Sequence, residues 1–277
     1  MKKYKPFISI IIPTYNAART LDKCIKSIVY QTYRRWEIII VDSNSSDDTP
    51  NIALKWCKIL GSKRLRYINI PLRSRSLARN MGVKRARGDR ILTLDADCIL
   101  PRTFLETCVR YINEKGDPEG LRVFLHDTKK NGSQGYMGMC YYVFCISGSE
   151  TRTREPFPNL IKRDVFLKLG GQKPFMEFGE DAEFDYRFRK AGFRAPLAPE
   201  CIVYHIEPFS VTSIVRKHLI SYNVIYQRAD TNRIKDKVLS IVRRIIRCPY
   251  LLLGLVLLSM ISTIVWCITK IKTKLKT

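Results

Sequence analysis

Apolar residues early in the chain come in two alternating patterns. Phe7–Ile12 and Glu37–Asp42 are Ile-rich runs that stop at polar residues, as strands buried on both faces do. Between them Leu21, Cys24, Ile25 and Ile28 recur at helical spacing behind Thr20, whose hydroxyl suits an N-cap. Asp47–Leu60 predicts a second helix, Leu65–Ile70 a third strand, Ser76–Ala86 a third helix and Arg90–Leu94 a fourth strand. Strands alternating with helices predict right-handed βαβ units around a mostly parallel sheet.

Beyond Pro101 the pattern is less regular. Thr103–Asn113 reads as a helix, Gly116–Gly120 and Lys129–Gly135 as polar loops, and Val123–His126, Met139–Ile146 and Cys201–Tyr204 as strands. Arg163–Leu169 is a short helix closed by Gly170-Gly171, and Asp181–Ala191 another closed by Gly192. This α+β half is suited to shaping an acceptor site.

The C-terminus follows a third pattern. Cys248–Thr269 holds 22 residues without a charge. At ~1.5 Å per residue such a helix reaches roughly 33 Å, enough for a hydrocarbon core. Tyr250 and Trp266 stand near its ends, where amphipathic rings favour the interface. Ahead of it Val238, Ile241, Val242 and Ile245 form an apolar stripe, with Arg243, Arg244 and Arg247 on other faces. That is the pattern of an interfacial helix, although packing on the domain would also use it. The expected organisation is a catalytic domain over 1–232 (donor half 1–100, acceptor half 101–232), an interfacial helix 233–247, one transmembrane helix 248–269 and a basic tail 270–277. The basic start Met1–Lys5 is followed by too short an apolar run for a signal peptide. A single pass with the large domain on the cytoplasmic side of the cell membrane is therefore expected, and the six cations of Arg233–Arg247 favour the same side.

Charge changes this picture in one respect. The 277 residues carry a formal net charge of +24, which suits nucleic acid, an anionic membrane face or a phosphorylated small molecule. Residues 234–277 hold nine cations against the single acid Asp236, so a third of the excess brackets the apolar segment. Zinc-ligand spacing and RNA-binding aromatic motifs are missing, which disfavours a nucleic-acid partner. Nine cysteines without a CxxC pair read as reduced, mostly buried thiols.

Candidate chemistry collects where strands end. In open α/β sheets ligands bind beyond the carboxyl ends of the strands, so Pro13–Asn16, Asp42–Asp47 and Asp95–Asp97 are expected to line one crevice. Asp95 and Asp97 offer hard oxygen ligands for Mg²⁺ or Mn²⁺. Asp42 suits a nucleobase N–H or an ordinary strand-end turn. Arg73, Arg75 and Arg79 suit a diphosphate, or solvent. Glu180-Asp181 opens a helix, where the dipole favours an ionised general base or a simple cap. His205, after a strand, suits a third metal ligand or a structural role.

Taken in order, IIPTYNA (Ile11–Ala17), VDSNSSDDT (Val41–Thr49), ARNMG (Ala78–Gly82), GDRILTLDAD (Gly88–Asp97) and GEDAEFDYRFRKAG (Gly179–Gly192) resemble the inverting family 2 glycosyltransferases of the GT-A fold. The resemblance covers about residues 7–210. It implies that Pro13, Thr14 and Tyr15 line a nucleotide pocket, that Asp42 binds the base of a nucleotide sugar, and that Asp95 and Asp97 belong to the metal and diphosphate site. It also implies Asp181 as the base for an acceptor hydroxyl with Glu180 beside it, and His205 as a metal ligand. The chain departs from the family pattern at Ser43 and Asn44, where a second Asp and a Gly are usual, so donor specificity is left open. The expected function is metal-dependent transfer of a sugar to a membrane-associated acceptor such as a lipid-linked saccharide. A polyprenyl-phosphate monosaccharide synthase is the nearest alternative; its phosphate acceptor needs no base, which favours the hydroxyl acceptor. A sugar nucleotidyltransferase would carry a Gly-rich loop where Pro13-Thr14-Tyr15-Asn16 stands.

Overall fold

The computed structural model describes residues 4–127, 159–174, 176 and 179–206, with side chains except at 124–127. In chain order the elements are β1 (Ile8–Thr14), α1 (Leu21–Val29), β2 (Trp36–Asp42), α2 (Thr49–Leu60), β3 (Leu65–Asn69), α3 (Arg75–Arg85), β4 (Arg90–Thr93), β5 (Cys98–Ile99), α4 (Phe104–Glu114), β6 (Gly120–Asp127), β7 (Leu160–Lys162), α5 (Arg163–Lys168), α6 (Glu180–Lys190) and β8 (Leu197–His205). They build one sheet in the order β3-β2-β1-β4-β7-β6-β8-β5. β3, β2, β1 and β4 are parallel, β7 runs antiparallel to β4 and β6, and β6 and β8 are parallel. This is the mixed, mostly parallel α/β sheet that the sequence pattern predicts.

Alternation along the central strands explains the layering. Ile8, Ile10 and Ile12 with Ile38 and Ile40 pack on one face against Leu21, Ile25 and Ile28 of α1 and Phe104, Leu105 and Ile112 of α4. Ile11, Ile39 and Val41 pack on the other against Ala78 and Val83 of α3, Phe166 of α5 and Phe184 and Phe188 of α6. Each buried isoleucine contributes about 1.5–3 kcal/mol. These strands have helices on both faces, which is why their sequence reads as continuous apolar runs.

The second face also carries a charge at the amino ends of the strands. Glu37 is fully buried, yet its carboxylate accepts from Ser9 Oγ at 2.6 Å, Arg87 N at 2.7 Å, Arg87 Nε at 2.9 Å and Arg66 Nη2 at 2.8 Å. Burial raises its pKa, but these hydrogen bonds and the two arginines outweigh that and hold it below the usual carboxylate range.

Several elements differ from the sequence reading. Thr20 precedes α1, but its side chain makes no cap hydrogen bond and donates back to the Ala17 carbonyl instead. The helix expected at Asp181 begins at Glu180, behind Gly179 at φ +84°. β5 and β7, of two and three residues, are too short to show a period. Met139–Ile146 and the segments 233–247, 248–269 and 270–277 lie outside the described residues. Among the described residues no helix is long and apolar enough to cross a membrane. The described cysteines Cys24, Cys57, Cys98, Cys108 and Cys201 are free thiols, and all but Cys57 are buried.

α3 lies close on the sheet at Gly82, where a Cβ would lie 2.4 Å from Ile11 Cγ2 and 3.3 Å from Val41 Cγ2. Both obstacles are buried β-branched side chains, which have little room to move. Gly82→Ala is therefore expected to push α3 outward and destabilise the fold by about 1–3 kcal/mol. Urea denaturation reads this directly, and an unchanged midpoint would contradict the close approach.

Candidate active site

Parallel register delivers the first group of residues to one edge. Pro13 pairs with Val41 and Thr14 with Asp42 at the carboxyl ends of β1 and β2. The loops that follow are laced together: Asn16 N donates to Ser45 Oγ at 2.8 Å, and Ser46 N donates to Asn16 Oδ1 at 2.9 Å. Asn16 and Asn44 hold positive φ, +49° and +58°, which Asn tolerates better than most residues. Tyr15 is 41% exposed, and the Arg73 guanidinium lies 4.0 Å from its ring centroid.

Asp42 sits deeper than its neighbours. It is fully buried and accepts from Thr14 Oγ1 at 2.9 Å, Ser45 N at 3.1 Å, Tyr67 Oη at 3.1 Å and Ser45 Oγ. A carboxylate offers about four acceptor positions, so the chain's own donors account for them. Tyr67 had no sequence signal as a partner of this aspartate, because the pairing arises from β3 lying beside β2.

The second group forms where β4 ends. Asp97 and His205 meet because Cys98 pairs with His205 across β5 and β8. His205 Nε2 lies 2.8 Å from Asp97 Oδ2, and a ligand atom from each of Asp97, Cys98 and His205 lies within 4.8 Å of the others. Burial pushes the Cys98 thiol up, and Asp95 and Asp97 add to it. That thiol stays protonated, which leaves a carboxylate oxygen and an imidazole nitrogen as donors. Such a set fits Mn²⁺ or Mg²⁺ better than a thiophilic metal.

Asp95 faces a different partner from Asp97. Arg79 Nη2 donates to its Oδ1 at 3.0 Å, while Nη1 donates to Asp181 Oδ1 at 2.8 Å, Glu180 Oε1 at 3.3 Å and Gln172 Oε1 at 3.3 Å. The Arg79 side chain is 3% exposed. The sequence offers Arg79 as a diphosphate counter-ion; the structure instead spends its guanidinium on carboxylates, because α3 places it beneath them. Arg73 and Arg75 are the more accessible cations, Arg75 lying 3.6 Å from Glu180 Oε1 with 61% of its side chain exposed.

These environments drive two carboxylates apart. Burial raises the pKa of Asp95, but Arg79 and Arg75 more than offset it and hold the group below its ordinary value. Burial likewise raises Asp181, and there the cations fall short, since Glu180 and Asp95 add to the rise. Asp181 therefore stands above the usual range, as a proton acceptor for a hydroxyl requires. The helix that carries it packs on α5 through Phe184 and Phe166, whose ring centroids are 5.0 Å apart.

Polar groups at the strand carboxyl ends, a carboxylate–imidazole pair suited to a divalent ion and a raised aspartate at a helix start fit a nucleotide-sugar glycosyltransferase with an α/β GT-A-like fold. The chain belongs to glycosyl transferase family 2, whose model matches residues 9–175. It is 27% identical over 204 residues to the glycosyltransferase AglE of Haloferax volcanii, covering 72% of this chain and 67% of that one. It is 26% identical over 230 residues to a Methanococcus voltae enzyme named as a dolichyl N-acetyl-α-D-glucosaminyl phosphate 3-β-D-2,3-diacetamido-2,3-dideoxy-β-D-glucuronosyltransferase, covering 78% and 71%. Other curated glycosyltransferases are matched over as little as 15% of their length. Among solved structures, the mannosyltransferase PcManGT of Pyrobaculum calidifontis, in complex with GDP-Man and Mn²⁺, shares the fold at TM-score 0.59 and 20% identity, covering 98% of this chain and 81% of that one. S. aureus TarS in complex with UDP shares it at TM-score 0.57 and 20% identity, covering 77% and 63%.

Replacing Arg79 by Met strips the buried guanidinium from Glu180 and Asp181, at a cost of about 3–5 kcal/mol. Asp181 then titrates higher still. A carboxyl whose folded pKa exceeds its unfolded value of about 3.9 loses stability as pH rises through that interval. The variant's deficit against wild type is thus expected to be largest near neutral pH and to narrow on acidification. Denaturation midpoints at the two pH values test this, and an equal deficit at both would contradict it.

Proposed function

We propose that this chain is an inverting glycosyltransferase that moves a sugar from a nucleotide-diphosphate donor to a hydroxyl of a lipid-linked saccharide at a membrane. The observation that carries the reading is the raised Asp181, bridged by one arginine to Asp95 in the loop after β4. A phosphate acceptor is already anionic and needs no such base. The name of the Methanococcus voltae relative, which describes transfer at position 3 of a dolichyl-linked sugar, supports a hydroxyl on a lipid-linked acceptor.

The donor nucleotide lies along Pro13, Thr14 and Tyr15, with the buried Asp42 holding Thr14 and Ser45 in place behind it and Asp95 toward the diphosphate. Asp97 and His205, with Asp95 nearby, would hold Mn²⁺ or Mg²⁺, which when bound offsets charge on the leaving diphosphate. Asp181 accepts the hydroxyl proton as the acceptor oxygen bonds to the anomeric carbon. The bond from that carbon to the diphosphate oxygen breaks on the opposite face, so configuration inverts. Arg79 keeps Asp95 and Asp181 in fixed relation, and Glu180 shares its charge.

Asp181→Asn is expected to lower transfer by at least about 10²-fold while nucleotide binding, read by calorimetry, stays within about twofold. Retained turnover would overturn the base assignment. Asp97→Ala is expected to abolish the Mn²⁺-dependent part of nucleotide binding. A donor panel including UDP-GlcNAc and GDP-mannose identifies the substrate by thermal stabilisation; no stabilisation by any of them would overturn the enzyme reading.

The anchor is proposed on the 22 uncharged residues of 248–269 and the cations around them, with the catalytic domain on the cytoplasmic side. The full chain is expected to stay with membranes through high salt and alkaline carbonate and to leave only with detergent. Release by salt alone would reduce the segment to a peripheral contact.

A further inference from the structure

One side chain without a role in the sequence reading reaches the proposed reaction centre. Gln172, 2% exposed, follows the Gly170-Gly171 turn, where φ is +75° and +71°. Its Nε2 donates to Asp181 Oδ1 at 2.7 Å, and its Oε1 accepts from Arg79 Nη1 at 3.3 Å. The guanidinium can only donate, so it dictates which end of the amide faces it and leaves the NH₂ for Asp181. Arg79 Nη1 donates to the same Asp181 Oδ1 at 2.8 Å. Two donors on one oxygen pin the carboxylate's rotation, and among the described residues Asp181 Oδ2 receives no hydrogen bond.

Gln172 is itself held by the residue after Arg79. Its N–H donates to Asn80 Oδ1 at 2.9 Å, and its carbonyl accepts from Asn80 Nδ2 at 2.7 Å. The turn can approach this closely because Gly171 has no side chain: a Cβ there would lie 2.5 Å from Asn80 Oδ1. Two consecutive residues of α3 thus grip Gln172, Arg79 by its side chain and Asn80 by its backbone.

We propose that Gln172, seated by Asn80, is a positioning residue that fixes the rotamer of Asp181 and turns Oδ2 toward the acceptor hydroxyl as the proton-accepting oxygen. This rests on the reading of Asp181 as the base. The charged groups facing Asp181 are Arg79 and Arg75 from α3, Asp95 from the loop after β4 and Glu180 beside it on α6. Gln172 adds a neutral donor, so its replacement by an apolar residue alters the hydrogen bonding of Asp181 without altering the charge around it.

The test uses the full chain in detergent with ¹³C-labelled aspartate carboxyls, the Asp181 resonance being assigned by its loss in Asp181→Asn. In Gln172→Leu the Asp181 midpoint is expected to rise by about one pH unit, the tenfold change in proton affinity that a lost charge-assisted hydrogen bond brings. Gln172→Glu, which keeps the shape and places an acid there, is expected to raise it further and serves if the Leu variant does not fold. Asn80→Ala is expected to give a smaller rise in the same direction. Asp22, held low chiefly by its hydrogen bond from Lys26 and bonded by Trp56 Nε1 at 3.0 Å, reports that each variant is folded. For the nucleotide sugar that wild type turns over, kcat is expected to fall about 10–100-fold with donor KM within about twofold. An unmoved Asp181 midpoint in folded Gln172 variants, with Asp181→Asn inactive, overturns the positioning role alone. Full turnover by Asp181→Asn overturns the base reading and this inference with it.

Discussion

The site depends on one buried cation. Arg79 is a guanidinium taken almost wholly out of water, a state whose cost is offset only by good geometry and several hydrogen bonds. Asp95, Glu180, Asp181 and Gln172 supply them. These partners come from the loop after β4, the start of α6 and the turn after α5, segments separated by up to about a hundred residues. One planar, permanently charged group thus holds the donor side and the proposed base in fixed relation, which a flexible ammonium would do less well.

That arginine is where it is because α3 lies close on the sheet. Gly82, one turn beyond Arg79, brings the helix within contact of Ile11 and Val41. The parallel strands beneath it carry opposite functions at their two ends. At the amino ends Glu37, Arg66 and Arg87 form a hydrogen-bonded structural cluster; the carboxyl ends and the loops after them carry Thr14, Asp42, Asp95 and Asp97. Two carboxylates near the same arginine then diverge in proton affinity, because Asp95 is outweighed by cations and Asp181 is not.

Much of the donor half was legible from the sequence. Buried parallel strands write themselves as apolar runs, so β1, β2 and β4 and the loops after them could be located, and with them Thr14, Asp42, Asp95 and Asp97. The pairing of Asp97 with His205 was a candidate on residue type, strand-end position and the family resemblance, since the two-residue β5 that aligns them shows no periodicity. Asp42 was visible as a strand-end acid, but not the ring of Thr14, Ser45 and Tyr67 that buries it. Asn80 stood in the ARNMG motif without a role, and Gln172 carried no signal, because a neutral amide in a Gly-bearing turn looks the same whether it holds a carboxylate or faces water.

The sequence by itself determined the βαβ order, the strand-end placement of the acids, the family motifs and the apolar, cation-flanked C-terminal segment. All of these are local, set by periodicity, spacing and residue chemistry along a short stretch of chain. Only the tertiary structure decided that Arg79 serves carboxylates and that Gln172 holds Asp181 by one oxygen. Those facts depend on contacts between distant segments, and on which polar groups lose water when helix and sheet close together.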